Sequence, residues 1–281
     1  MPLNTDIVGM QLGEIERSWE PEDCMLYALA VGAGSADPHA ELELTTENTT
    51  GVPLQVLPTF AIIVGSRRLP DDIGDIDRKM IVHGAQSVAV SGPLPPSGRC
   101  VLQSTVVALY DKGSGAAVVV DHVATDPATG TELFTCSNTT FIRGEGGFGG
   151  DRGPSGPPPS PEREPDVRVG AATSRSQALL YRLCGDHNPL HSDPAVATAA
   201  GFERPILHGL CTYGFTARLL SRTVCGGDVA RFRSMSARFA RPVLPGDELT
   251  VEAWDLEDGT LQFRTLVGDS VVVDGGQLTY V

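Results

Sequence analysis

The chain has 281 residues, enough for one large domain or two of ordinary size, and a hydrophobic fraction of 41% that suits a packed core. Its net charge of -14, with lysine only at positions 79 and 112, argues against a nucleic-acid binder, which would need a basic stripe. No stretch approaches the roughly 18 apolar residues of a membrane span. The first residues carry no basic-then-apolar leader, and the six cysteines show no CxxC pair, so reduced thiols in a cytoplasmic protein are expected.

Residues 1–17 read as a lead-in with a turn or short strand. Pro21 then suits the first turn of a helix that places Met25, Leu26, Leu29 and Ala30 on one face and ends at Gly32. Residues 34–48 are polar and acidic, and read as loop. The apolar run 54–64, interrupted by Pro58, reads as a truncated helix or a buried strand. From Lys79 the texture becomes β. Runs at 81–90, 101–110, 117–126 and 132–142 are rich in β-branched residues and separated by Gly/Pro turns, as in an antiparallel sheet. Residues 144–165 are so rich in Gly and Pro that they read as a linker. Beyond it come a helix from Ser174 to Cys184, a helical turn at 194–200, a longer helix at 210–223, and strands at 234–239, 249–256, 260–267 and 271–281.

Between the first two of these helical stretches lies Tyr181-Arg182-Leu183-Cys184-Gly185-Asp186-His187-Asn188-Pro189-Leu190-His191. Gly185 and Pro189 break the helix, so a carboxylate, an amide and an imidazole fall on one stiff loop. An Asp and a His that converge on one small molecule can act as an acid/base pair. Each residue alone could be an ordinary polar turn after a helix. His187, His191, His208 and Asp186 also raise a metal reading, but Pro189 separates the first two from a common helical face, and no metal is expected. His83 and His122 lie in strand-like runs without acidic partners at useful spacing, and read as structural or surface residues.

The two halves echo each other. Trp19 precedes Tyr27 by eight residues, as Thr173 precedes Tyr181, and Pro/Gly-rich turns at 91–98 and 240–246 each lead into a strand. Two copies of one α+β unit account for length and order. Counted from each tyrosine, Asp186, Asn188 and His191 correspond to Gly32, Gly34 and Asp37, so the first copy lacks the acid/base set. The expected divisions are a degenerate first unit, 1–146, a linker, 147–165, and a second unit, 166–281.

The loop from Tyr181 to His191, with Ala197 six residues on, resembles the motif of the (R)-specific, type-2 enoyl-CoA hydratases of the MaoC-like group. Arg204-Pro205-Ile206-Leu207-His208-Gly209 and Arg241-Pro242-Val243-Leu244-Pro245-Gly246-Asp247 resemble family segments in the same order. The likeness spans the chain and is to the double hot-dog form: two antiparallel sheets, each with a helix, in tandem. It implies reversible hydration of a trans-2-enoyl-CoA to a (3R)-3-hydroxyacyl-CoA, with the CoA thioester as substrate and no cofactor. Asp186 and His191 would hold the water, the Gly209 N–H would meet the thioester oxygen, and Asn188 would orient the pair. His208, Leu210 and Tyr181 would stand along the substrate, Tyr181 chiefly in packing. Arg238 and Arg241 would grip CoA phosphates, unless they are surface charges flanking a strand. A degenerate first unit with a shortened helix would leave room for a long or bulky acyl chain. A dehydratase of carrier-protein-bound chains, a non-catalytic acyl-CoA-binding subunit and a thioesterase are the other readings. A homodimer is expected.

Overall fold

A computed structural model describes residues 3–69, 73–156 and 159–281. Ten strands form one antiparallel sheet: β1 (Gln11–Trp19), β2 (Ile81–Val90), β3 (Gly98–Asp111), β4 (Gly115–Thr125), β5 (Glu132–Arg143), β6 (Val167–Ala172), β7 (Phe232–Phe239), β8 (Glu248–Asp255), β9 (Thr260–Val267) and β10 (Ser270–Tyr280). The strand order is β1-β3-β4-β5-β2-β7-β10-β9-β8-β6. Read outward from its centre, each half repeats the other: β2-β5-β4-β3-β1 matches β7-β10-β9-β8-β6. The expected two sheets are thus a single one, because β2 and β7 hydrogen-bond to each other, with Ala85 opposite Arg238 and Val88 opposite Met235.

The helices are α1 (Pro21–Ala30), α2 (Leu42–Thr45), α3 (Ala61–Val64), α4 (Gln177–Tyr181), α5 (Pro194–Ala199) and α6 (Gly209–Val224). α6 has sixteen residues, and every one from Cys211 to Ser221 is buried. A helix enclosed on all sides can afford few charges, and here the buried charge, Arg218, is paired. The corresponding apolar run of the first half yields a single 3-10 turn, Pro58–Phe60, and the four residues of α3. Pro58 opens that turn, and α3 gives out at Gly65.

The repeat is visible in contacts. Tyr27 and Tyr181, each 1% exposed, pack with ring centroids 6.3 Å apart. Trp19 donates its indole N–H to Pro95 O at 2.9 Å, while Thr173 binds Asp247 O through its N–H and its hydroxyl at 2.9 and 2.8 Å. Each residue therefore ties the entry to a helix onto the Pro/Gly turn of its own half. α6 lies so close to α1 that a Cβ on Gly214 would come within 2.5 Å of Val31 and 2.7 Å of the Tyr27 hydroxyl.

Three elements were not legible in the sequence: β1 along most of its length, α2, and β6, which pairs with β8 at the sheet edge. The acidic stretch read as loop also hides Glu41, 8% exposed and ion-paired with Arg218 at 2.7 Å and Arg222 at 3.0 Å. The Gly/Pro-rich segment is laid against the protein over its described residues. Asp111 accepts N–H bonds from Gly147 and Gly149 at 2.8 Å, and Trp254 donates to Arg163 O at 2.8 Å. All six cysteines are free thiols, five of them buried.

Candidate active site

The loop from Tyr181 to His191 is built by a succession of local caps. After α4, a 3-10 turn covers Arg182–Cys184 and ends at Gly185, whose φ of 117° is readily reached only without a side chain. Asp186 Oδ1 accepts the Asn188 N–H at 3.1 Å. Asn188 Oδ1 in turn accepts the Leu190 N–H at 3.0 Å and caps the 3-10 turn Pro189–His191. Asn188 therefore acts on the loop backbone that carries His191. Asp193 then caps α5 by accepting the Ala195 N–H at 2.8 Å.

The second segment of the site is 204–208, tied to the turn before β8 by Leu207 N to Val243 O at 2.7 Å. Its Ile206 carbonyl accepts from His191 Nδ1 at 2.9 Å. A carbonyl only accepts, so His191 carries its proton on Nδ1 and leaves Nε2 as a free base. By the same logic His208 Nε2 donates to the Asp186 main-chain oxygen at 3.2 Å, and its buried Nδ1 finds no partner among the described residues. The two imidazoles stack at 3.8 Å with 29° between their planes, and the Tyr181 ring lies tilted against His208 at 4.9 Å.

Ligand-type atoms of Asp186, His191 and His208 all lie within 4.8 Å of one another. Each histidine holds one nitrogen on a main-chain oxygen, which leaves one lone pair on each ring. Burial holds the His191 imidazolium below its ordinary value of 6.5, against the opposing pull of the Ile206 bond and Asp186. Burial, aided by His191, takes His208 down to about 4. Burial pushes the Tyr181 phenol far above its ordinary 10, so it stays neutral.

Gly209 opens α6, so its N–H has no intrahelical acceptor and sits at the positive end of a sixteen-residue helix. A Cβ there would stand 3.1 Å from the Phe239 ring. Leu210, next along, is partly buried against the main core. Sequence reasoning missed His83, which had seemed to lack an acidic partner. Its ring meets Phe239 edge-on at 4.9 Å, Asp186 attracts its charged form, and burial still lowers it to about 4. The partner comes from the other half of the chain, which no local spacing could reveal.

The two arginines part company. Ala237 and Phe239 face α6, so Arg238 alternates to the opposite face of the sheet, where its guanidinium lies beside Gly156. That placement sets it on the face of the sheet away from the loop. Arg241 lines a cleft of about 390 Å³ with Phe202, Ile206, Leu244, Val267 and Ser270, and donates to Ser270 Oγ at 3.2 Å. The cleft holds neither Asp186 nor His191; it adjoins them through Ile206.

The MaoC like domain matches residues 158–274, and the MFE-2 hydratase 2 N-terminal domain matches 18–144. The chain is 41% identical to 3-hydroxyacyl-thioester dehydratase Y of Mycobacterium tuberculosis, covering 100% of this chain and 99% of that protein. It is 35% identical to a probable enoyl-CoA hydratase 2 of Dictyostelium discoideum, covering 92% and 89%. A solved MaoC-like dehydratase from Phytophthora capsici superposes with a TM-score of 0.89 at 31% identity, over 99% of this chain and 98% of that one. The chain belongs to the MaoC-like hydratase 2 family, in its double hot-dog form.

Proposed function

We propose that the chain is a hydro-lyase that adds water to a trans-2-enoyl-CoA to give the (3R)-3-hydroxyacyl-CoA, and catalyses the reverse dehydration. The observation that carries the mechanism is the proton placement on His191: Nδ1–H is held by Ile206, which leaves Nε2 bare, on a ring with a nitrogen within 4.8 Å of an Asp186 carboxylate oxygen. A water held between that nitrogen and the carboxylate loses a proton to Nε2 as its oxygen bonds to C3. The displaced electron pair moves onto the thioester oxygen, where the Gly209 N–H and the helix dipole meet it. C2 then takes a proton from the Asp186/His191 pair and the thioester is restored, so the elements of one water have been added. No step needs a metal or a redox cofactor.

Arg241, on the rim of the cleft behind Ile206, is the remaining candidate for the CoA phosphates. The four-residue α3, set against the sixteen residues of α6, supports long or bulky acyl groups lying over the first half. A second copy as partner has some support from Leu29, Leu179 and Leu183, exposed on α1, on α4 and in the turn after α4. Light scattering of the purified protein reads that state directly.

The test of the activity is loss of enoyl-thioester absorbance with crotonyl-CoA and a longer enoyl-CoA, with product chirality determined. Asp186→Asn and His191→Ala should each lower turnover by about 10²–10⁴-fold. An (S) product, or no reaction with any enoyl-CoA, overturns the proposal.

A further inference from the structure

Gly209 has no side chain to hold it in place, yet the proposed reaction sets the developing oxyanion on its N–H. Its neighbour is an aromatic ring. A Cβ on Gly209 would lie 3.1 Å from two carbons of Phe239, so the ring stands where a side chain would point. The next turn of α6 is registered on the same strand, with Tyr213 donating its hydroxyl to Met235 O at 2.7 Å. Met235, Ala237 and Phe239 alternate onto the helix side of β7. The first two are buried in the core, while Phe239 is half-buried and packs at its margin.

Phe239 is also met from the first half of the chain. The His83 ring approaches it edge-on, with centroids 4.9 Å apart and 66° between the planes. Plain alternation would not bring His83 there. The buried residues of β2 are Gln86, Val88 and Val90, so an odd-numbered residue should point to the opposite face. A β-bulge reverses this. His83 pairs with Thr140 and Ala85 with Thr139, so β2 spends two residues where β5 spends one. The extra residue is Gly84, where a Cβ would lie 3.3 Å from Thr139 O. Beyond the bulge His83 shares a face with Thr140, which is buried. The imidazole is pinned as well, its Nε2–H donating to Ala85 O at 3.0 Å.

Two features set this arrangement apart from ordinary packing. A bulge disrupts the ladder, and this one delivers a half-buried imidazole, which adds little to a core. The contact that it supports then falls on the first residue of α6, whose N–H has no acceptor within the helix.

We propose that Phe239 is a positioning residue for hydration: its ring fixes the Cα, and with it the N–H, of Gly209, while His83 of the first half fixes the ring. This rests on the hydratase reading and says what holds its oxyanion donor. The half without counterparts of Asp186, Asn188 and His191 thus still serves the site, from across the β2–β7 seam. A donor set slightly out of place meets the ground-state thioester about as well and the transition state less well, so kcat falls and KM does not.

The experiment measures kcat and KM for crotonyl-CoA, and the absorption of bound 4-dimethylaminocinnamoyl-CoA, in the wild type, Phe239→Leu, Phe239→Tyr and His83→Leu. The long-wavelength band of that thioester moves to the red when its carbonyl is polarised, so it reports the donor apart from turnover. Phe239→Leu should lower kcat by about tenfold, less than the roughly 10²–10³-fold of losing such a donor outright. Its KM should stay close to that of the wild type, and most of the red shift should be gone. Phe239→Tyr, which keeps the ring, should recover most of both losses, and His83→Leu should show a smaller part of each. No red shift in the wild type, or one that Phe239→Leu leaves intact, overturns this proposal alone, as does a loss confined to KM. Crotonyl-CoA left unhydrated by the wild type overturns the hydratase reading and this proposal with it. Where Phe239→Leu does not fold, His83→Leu decides, and an unchanged kcat and red shift there overturn the proposal.

Discussion

At the scale of single residues, the site works by denying its histidines a choice of tautomer. His191 has only a carbonyl at Nδ1, so Nε2 is always the basic nitrogen while the ring is neutral. Because burial lowers its proton affinity, it stays neutral down to below pH 6.5. The acid limb of kcat/KM should therefore lie below that pH, activity falling as protonation fills Nε2; a limb above 6.5 would contradict the assignment. His208 holds the Asp186 main chain through Nε2–H. His208→Phe should lower kcat by about tenfold or more, the loss expected when a hydrogen bond that places a catalytic group is removed. His208→Gln, which can still offer an N–H, should recover part of it. The Asp186–His191 pair was legible in the sequence because one loop carries both. The role of His83 was not, since its strand and the catalytic loop meet only through the pairing of β2 with β7.

At the scale of elements, the close approach of α1 and α6 sets a strict size limit. A methyl at Gly214 has nowhere to go, being 2.5 Å from Val31. Gly214→Ala should destabilise the protein by about 1–3 kcal/mol, the usual cost of overpacking, and lower the urea midpoint without changing the slope. Most strands could be read from runs of β-branched residues, whose alternation survives in the burial of β3 and β5. β6 could not, because Val167-Arg168-Val169-Gly170-Ala171-Ala172 is short, borders the proline-rich segment and draws its stability from β8. The segment around Glu41 misled for another reason. Acidic composition signals solvated chain, and the arginines that draw Glu41 inward stand on α6, in the other half.

At the scale of the whole molecule, that same ion pair fastens one half to the other. Glu41 receives Arg218 through both carboxylate oxygens at 2.8 and 2.7 Å, and Arg218 also donates to Val31 O at 2.9 Å. Burial by itself would raise the Glu41 carboxyl, but the Arg218 charge and the bonds from Arg218, Gly34 and Arg222 outweigh it and hold it below 4.5. A carboxylate depressed in the folded state adds stability above its unfolded value and loses that share as pH falls through the folded one. The contribution should be intact at neutral pH and fade below about 4.5, as unfolding midpoints across an acid series would show. Glu41→Gln leaves Arg218 buried against a neutral amide and should cost roughly 3–5 kcal/mol at neutral pH, and far less in acid. The seam between β2 and β7 has a wider consequence. Where two identical chains meet across such a seam, every substitution arrives twice, and an improvement to one site is also a change to its twin. Joining the copies in one polypeptide ends that obligation. Under the proposed chemistry one copy carries Asp186, Asn188 and His191, while the other has Gly32, Gly34 and Asp37 in the matching places.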